Sequence, residues 1–152
     1  MIEDRKNMPD INILLIEDNS ADVFLTRESL SESVMYSYKV FAINNGIDAL
    51  AFLRRGNGYE NADRPHLILL DLSLPKMDGF EILEEIRTDE TLTDVPVFVL
   101  TTAMVPGYVK RAEELEAGGY LLKPIDLEAF ETLLSRTDIT FRQKAFRMHS
   151  EE

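Results

Sequence analysis

The sequence predicts a doubly wound α/β domain on five parallel strands, and two observations carry that expectation. Four short segments, residues 11–16, 67–70, 97–100 and 120–122, are apolar runs rather than alternations. A strand covered by helices on both faces reads this way, which is the habit of a parallel sheet. Segments of helical period separate these runs. Strand and helix therefore alternate five times, the order of an open sheet with crossover connections.

Each element follows in order. The first strand ends at Glu17-Asp18, and a helix is expected from Ala21 to Leu30 with Asn19 or Ser20 as its cap. Residues 38–43 are a fifth, more polar strand candidate, suited to an edge. Ile47, Leu50, Ala51 and Arg54 lie at i, i+3, i+4 and i+7, placing three apolar side chains and one long stem on one helical face. A polar surface loop covers residues 56–64. Phe80, Leu83 and Ile86 mark the third helix, Val109, Ala112 and Leu115 the fourth, and Leu127, Phe130 and Leu134 the fifth. Pro106 suits the first turn of the fourth helix and Asp126 the cap of the fifth. One domain is expected over residues 10–136, followed by a tail at 137–152.

Composition narrows the function classes. A chain of 152 residues, 45% apolar, suits a single domain with a real core. The absence of cysteine removes disulfide scaffolds, thiolate metal sites and a cysteine nucleophile. His66 and His149 lie far apart, so a histidine metal site is not expected; His66 opens a strand and reads as structural. A net charge of −12 argues against nucleic acid and anionic membranes as partners, and Arg142, Lys144 and Arg147 make too thin a basic cluster to reverse that. Residues 1–10 have no apolar signal-peptide core, and no run is long enough to span a bilayer. A cytoplasmic protein is expected.

Open sheets of this type bind ligands at the carboxyl ends of their strands. Glu17-Asp18, Asp71, Thr101 and Lys123 (followed by Pro124) stand at four such ends. Converging carboxylates repel one another, and a hard divalent cation such as Mg²⁺ relieves the repulsion through oxygen ligands. A carboxylate can act as nucleophile and form an aspartyl-phosphate. Phosphoryl transfer then needs charge placed around the equatorial oxygens, which Mg²⁺, Lys123 and the Thr101 hydroxyl could supply.

These residues resemble the receiver domain of bacterial response regulators over residues 12–134. The likeness lies in Glu17-Asp18, in Asp71-Leu72-Ser73-Leu74-Pro75-Lys76-Met77-Asp78-Gly79, in Thr101-Thr102-Ala103 and in Tyr120-Leu121-Leu122-Lys123-Pro124. Asp71 and Thr101 stand thirty positions apart and Thr101 and Lys123 twenty-two, as in the family. The resemblance implies a flavodoxin-like (βα)5 fold with strand order 2-1-3-4-5. It implies Asp71 as phosphoacceptor, with Asp18, Asp71 and the Ser73 carbonyl as Mg²⁺ ligands and Glu17 holding the ion through water. It further implies Thr101 and Lys123 as phosphoryl contacts, Tyr120 as the aromatic of a Thr101–Tyr120 switch, and a cis Lys123-Pro124 bond. Asp18-Asn19-Ser20-Ala21-Asp22, Leu25-Thr26-Arg27-Glu28 and Arg64-Pro65-His66 through Asp71 look like the small regulators paired with bacterial phytochromes, which implies a histidine kinase of that type as donor.

Departures from the family pattern carry expectations of their own. Thr102 stands where a small alanine is frequent, which narrows access for a donor. Ser73 and Ala103 offer no acid or amide to orient water, so slow self-dephosphorylation is expected. With only residues 137–152 after the domain, the output is expected to be a protein contact or onward phosphotransfer rather than DNA binding. Ile139, Phe141, Phe146 and Met148 give the tail two readings: an arm docking on a second chain to make a homodimer, or a frayed or disordered end. Three alternatives compete for the whole chain. A dehalogenase-type phosphatase has a second Asp where Ser73 stands. A phosphorylation-independent binding module (pseudo-receiver) is disfavoured by the presence of Asp18, Asp71 and Lys123. A phosphate sink shares the receiver chemistry. The chain is expected not to be an enzyme, beyond assisting its own phosphorylation and hydrolysis.

Overall fold

The computed structural model describes residues 8–56, 58–74 and 77–137. Strands and helices alternate as β1 (Asp10–Ile16), α1 (Ser20–Ser31), β2 (Ser37–Ile43), α2 (Gly46–Leu53), β3 (Leu67–Asp71), α3 (Gly79–Thr88), β4 (Val97–Thr101), α4 (Pro106–Glu114), β5 (Gly119–Leu122) and α5 (Leu127–Arg136). Every strand pair is parallel, and the order is β2-β1-β3-β4-β5. This is the doubly wound, flavodoxin-like sheet expected from the sequence. The connection reverses direction between β1 and β3, which opens a crevice at their carboxyl ends.

The apolar runs are explained by two cores, one on each sheet face. Leu14, Ile16, Ile68, Leu70, Val97 and Val99 face α2, α3 and α4, where Leu50, Leu53, Leu83, Ile86 and Ala112 meet them. Ile11, Ile13, Leu15, Leu67, Leu69 and Phe98 face α1 and α5, where they meet Leu30, Phe130 and Leu134. Successive strand residues point to opposite faces, and both faces are covered, so β3 and β4 are buried at every position. Asn19 caps α1 by accepting the Asp22 N–H, and Asp126 caps α5 by accepting that of Ala129.

Two local expectations are corrected. The run at 120–122, at the sheet edge that the order 2-1-3-4-5 implies, is not buried on both faces: Leu121 is buried but Leu122 is 46% exposed. The stripe of α2 is displaced as well: Ile47 is 61% exposed, and the buried set is Gly46, Ala49, Leu50, Phe52 and Leu53. Gly46 takes the first place of an i, i+3, i+4, i+7 series with Ala49, Leu50 and Leu53. A Cβ there would lie 2.5 Å from Ile82 Cδ1, so the missing side chain is what lets α2 close on α3. Arg54 turns outward and pairs with Glu85 and Asp89, each at 3.1 Å.

His66 is structural, as expected. Buried ahead of β3, it accepts the Asn12 N–H on Nδ1 at 2.8 Å while its backbone N–H donates to the Asn12 carbonyl at 2.7 Å. His66→Leu keeps the bulk but orphans a part-buried donor. It should lower unfolding free energy in urea by about 1–3 kcal/mol; an unchanged midpoint would mean that water replaces the imidazole.

No helix among the described residues is long and apolar enough to cross a membrane. Both readings of the tail fall on residues 138–152, outside the described residues.

Candidate functional site

The segments after β1, β3, β4 and β5 open on one edge of the sheet. Glu17 follows β1 directly, and its N–H is held by the Ile43 carbonyl at 3.0 Å. Asp71 is the last residue of β3. Lys123 follows β5, its N–H donating to the Thr101 carbonyl at 2.8 Å, and its bond to Pro124 is cis.

These placements gather carboxylates. Glu17, Asp18 and Asp71 each offer a ligand oxygen, all within 4.8 Å of one another. Glu17 and Asp71 are buried while Asp18 is exposed, so the cluster is open on one side. The Ser73 N–H donates to Asp71 Oδ1 at 3.0 Å, and the Asn19 N–H to Glu17 Oε2 at 3.3 Å. Lys123 Nζ stands among the acids, 2.8 Å from Glu17 Oε1, 2.9 Å from Asp22 Oδ2 and 3.3 Å from Asp71 Oδ2.

The electrostatics follow from this crowding. Burial pushes the Glu17 carboxyl up to about 7; the hydrogen bond from Lys123 opposes that rise and the neighbouring Asp71 adds to it. Burial pulls the Lys123 ammonium down, but the bonds to Glu17 and Asp22 outweigh it and hold the group above its ordinary value. The lysine stays charged, and the carboxylates still outnumber it. A donor set of carboxylate oxygens with surplus negative charge suits a hard divalent cation.

Glu17, Asp18, Asp71 and Lys123 are therefore brought together, as the sequence led us to expect. Thr101 ends β4 beside them, but its hydroxyl donates to the Ala103 carbonyl at 3.0 Å and accepts the Ala103 N–H at 3.3 Å. Tyr120 lies on β5 with its hydroxyl buried and without a hydrogen-bond partner among the described residues. Ser73 and Thr102 are exposed at the rim. The residue that sequence reasoning missed is Asp22. Its signal was its place in the first turn of a helix that starts at the site's edge, where a side chain can reach back over the strand ends.

An oxygen-donor cluster and a lysine at the carboxyl edge of a 2-1-3-4-5 parallel sheet define a receiver-type signalling domain. The model of the response regulator receiver domain matches residues 13–135, and the chain belongs to that family. Response regulator Rcp1 of Synechocystis sp. (strain PCC 6803) is 42% identical over 127 residues, which are 84% of this chain and 85% of Rcp1. The crystal structure of the Mn(2+)-bound form of Rcp1 matches with a TM-score of 0.70 at 41% identity, over 81% of this chain and 88% of that one. The phosphorylated cyanobacterial phytochrome response regulator RcpA matches at 0.71 and 39%, over 86% and 93%. The bacteriophytochrome response regulator RtBRR matches at 0.75 and 33%, over 85% and 78%. The protein is a response regulator receiver of two-component signalling, homologous to phytochrome response regulators.

Proposed function

We propose that the chain accepts a phosphoryl group on Asp71 from the phosphohistidine of a histidine kinase and then switches a protein-interaction face. The observation that carries this reading is the gathering of three carboxylates within 4.8 Å, with the Lys123 ammonium 3.3 Å from the buried Asp71. An Asp71 oxygen attacks phosphorus as the P–N bond to the donor imidazole breaks, and the bonding electron pair leaves with the imidazole nitrogen. Asp18, Asp71 and the Ser73 carbonyl would hold Mg²⁺ directly, and Glu17 would hold it through water. The bound ion supplies positive charge to the phosphoryl oxygens. Lys123 binds a phosphoryl oxygen from the other side. The Thr101 hydroxyl reaches one only by leaving the Ala103 carbonyl. That would make Thr101 a two-position element, and the family resemblance supports its coupling to Tyr120, whose buried hydroxyl has no hydrogen-bond partner among the described residues, and so to the face of α4, β5 and α5. The phytochrome relatives support a bacteriophytochrome-type kinase as donor, and transfer from a phosphohistidine supports the reading of a cytoplasmic signalling phosphoacceptor rather than an enzyme acting on a separate substrate.

The test is intact-mass measurement after incubation with Mg²⁺ and acetyl phosphate or phosphoramidate. One phosphoryl group is expected on the parent protein and none on Asp71→Asn or in chelator. No adduct, together with no response to beryllofluoride and Mg²⁺, would instead favour a phosphorylation-independent binding module. The adduct is expected to decay slowly, because neither Ser73 nor Ala103 offers an acid or amide to orient an attacking water; rapid loss would contradict that. Mg²⁺ at a hundredfold excess over its dissociation constant should add about 2.7 kcal/mol of stability. Asp18→Asn should remove most of that gain in thermal melts, and a gain left intact would place the ion elsewhere.

A further inference from the structure

Asp22 sits in the first turn of α1, where an acidic side chain favours the helix N-terminus and Asn19 caps its N–H at 3.0 Å. It also has a long-range contact. Its Oδ2 accepts from Lys123 Nζ at 2.9 Å, across 101 residues of sequence. An ammonium has three N–H donors, and Lys123 Nζ has three carboxylates around it, from Glu17, Asp22 and Asp71. Two of those, Glu17 and Asp71, also belong to the cluster that fits a divalent cation; Asp22 does not. A cation entering the cluster would compete for the lone pairs that the ammonium uses, and like charges in a partly buried site repel strongly. Asp22 is then the carboxylate left to the lysine.

We propose that Asp22 is a positioning residue for phosphoryl binding: anchored on α1, it keeps the Lys123 ammonium within reach of Asp71 when the cation draws on Glu17 and Asp71. This rests on the phosphoacceptor reading of Asp71. In that arrangement one N–H of Lys123 stays on Asp22 and the one now directed at Asp71 passes to a phosphoryl oxygen. Asp22 touches neither the phosphoryl group nor the cation.

The experiment measures beryllofluoride affinity by ¹⁹F NMR at saturating Mg²⁺, for the parent chain, Asp22→Ala, Lys123→Met and the double variant. Loss of a charge-assisted hydrogen bond predicts about tenfold weaker binding in Asp22→Ala. In the Lys123→Met background the same substitution should add nothing. Mg²⁺ affinity without fluoride should fall clearly less than beryllofluoride affinity, because Asp22 is not a ligand. In chelator, the two substitutions should be non-additive in urea unfolding. An equal loss in both backgrounds would overturn the proposal and assign the effect to the helix terminus. A parallel fall in Mg²⁺ affinity would overturn it in favour of bulk charge. Unchanged affinity in Asp22→Ala, with tight binding by the parent, would refute this inference alone. A parent chain that binds no beryllofluoride would refute it together with the phosphoacceptor reading.

Discussion

Phe130→Ala is expected to cost about 3–5 kcal/mol, a large part of the roughly 5–15 kcal/mol that holds a domain of this size together. Phe130 is fully buried on α5 and meets two rings edge-on, Tyr38 from β2 at 5.4 Å and Phe98 from β4 at 5.8 Å. The three rings tie together the edge strand β2, the inner strand β4 and α5. Truncation would leave a cavity under α5. It would also loosen Tyr38, whose hydroxyl donates to Glu131 at 2.6 Å beside the Ser33 hydroxyl, also at 2.6 Å. Burial and the Glu131 carboxylate push the Tyr38 phenol well above its ordinary value, so the bond is made by the neutral hydroxyl. Urea unfolding at constant m-value should show the loss as a lower midpoint. Phe130→Leu fills most of the space and should cost clearly less, about 1.5 kcal/mol. Equal losses for Leu and Ala would show that ring geometry, rather than cavity volume, is what α5 depends on.

Most of this architecture was legible because burial on two faces leaves a mark that needs no partner information. Residues 67–70 and 97–100 are apolar at every position because each strand is covered above and below. The polar character of 38–43 announced an edge for the converse reason. Residues 120–122 misled because three consecutive apolar residues cannot show how fully the helices cover each face of a strand. The α2 stripe misled because the residue that decides which face packs is Gly46, whose contribution is a missing side chain. At the site, Glu17, Asp18, Asp71 and Lys123 were readable because a parallel sheet brings its strand ends to one edge whatever the loops do. Asp22 was not, because the first turn of a helix gives an acidic residue a sufficient local reason to be there. Nor could sequence show that the Thr101 hydroxyl rests on Ala103, since that depends on one rotamer in a turn.

Lys123→Met should reveal how the site's charges are balanced, and its effect should depend on pH and on cation. Lys123 is the cation among Glu17, Asp22 and Asp71, its side chain only 10% exposed and that of Glu17 1%. Removing one partner of a buried ionic group costs about 3–5 kcal/mol when the other must stay charged. Here Glu17 has an alternative, because it can take a proton. Its carboxyl is already raised from 4.5 to about 7. The folded chain therefore keeps a proton that the unfolded chain releases, and stability from this group is complete below the unfolded value and lost as pH rises through the folded one. Without Lys123, the bond that holds Glu17 down is gone, and the window extends upward. In chelator, the gap between Lys123→Met and the parent should be small near pH 5 and approach the full cost near pH 8. The lysine's own titration does not intrude, since its raised folded value lies above this range. At about pH 8, Mg²⁺ should then stabilise Lys123→Met more than the parent, because the ion meets carboxylates that no ammonium already neutralises. A gap that stays constant with pH would make the lysine's contribution one of packing. Equal stabilisation by Mg²⁺ would mean that ammonium and cation do not share Glu17 and Asp71, and the competition that makes Asp22 the lysine's anchor would have no basis.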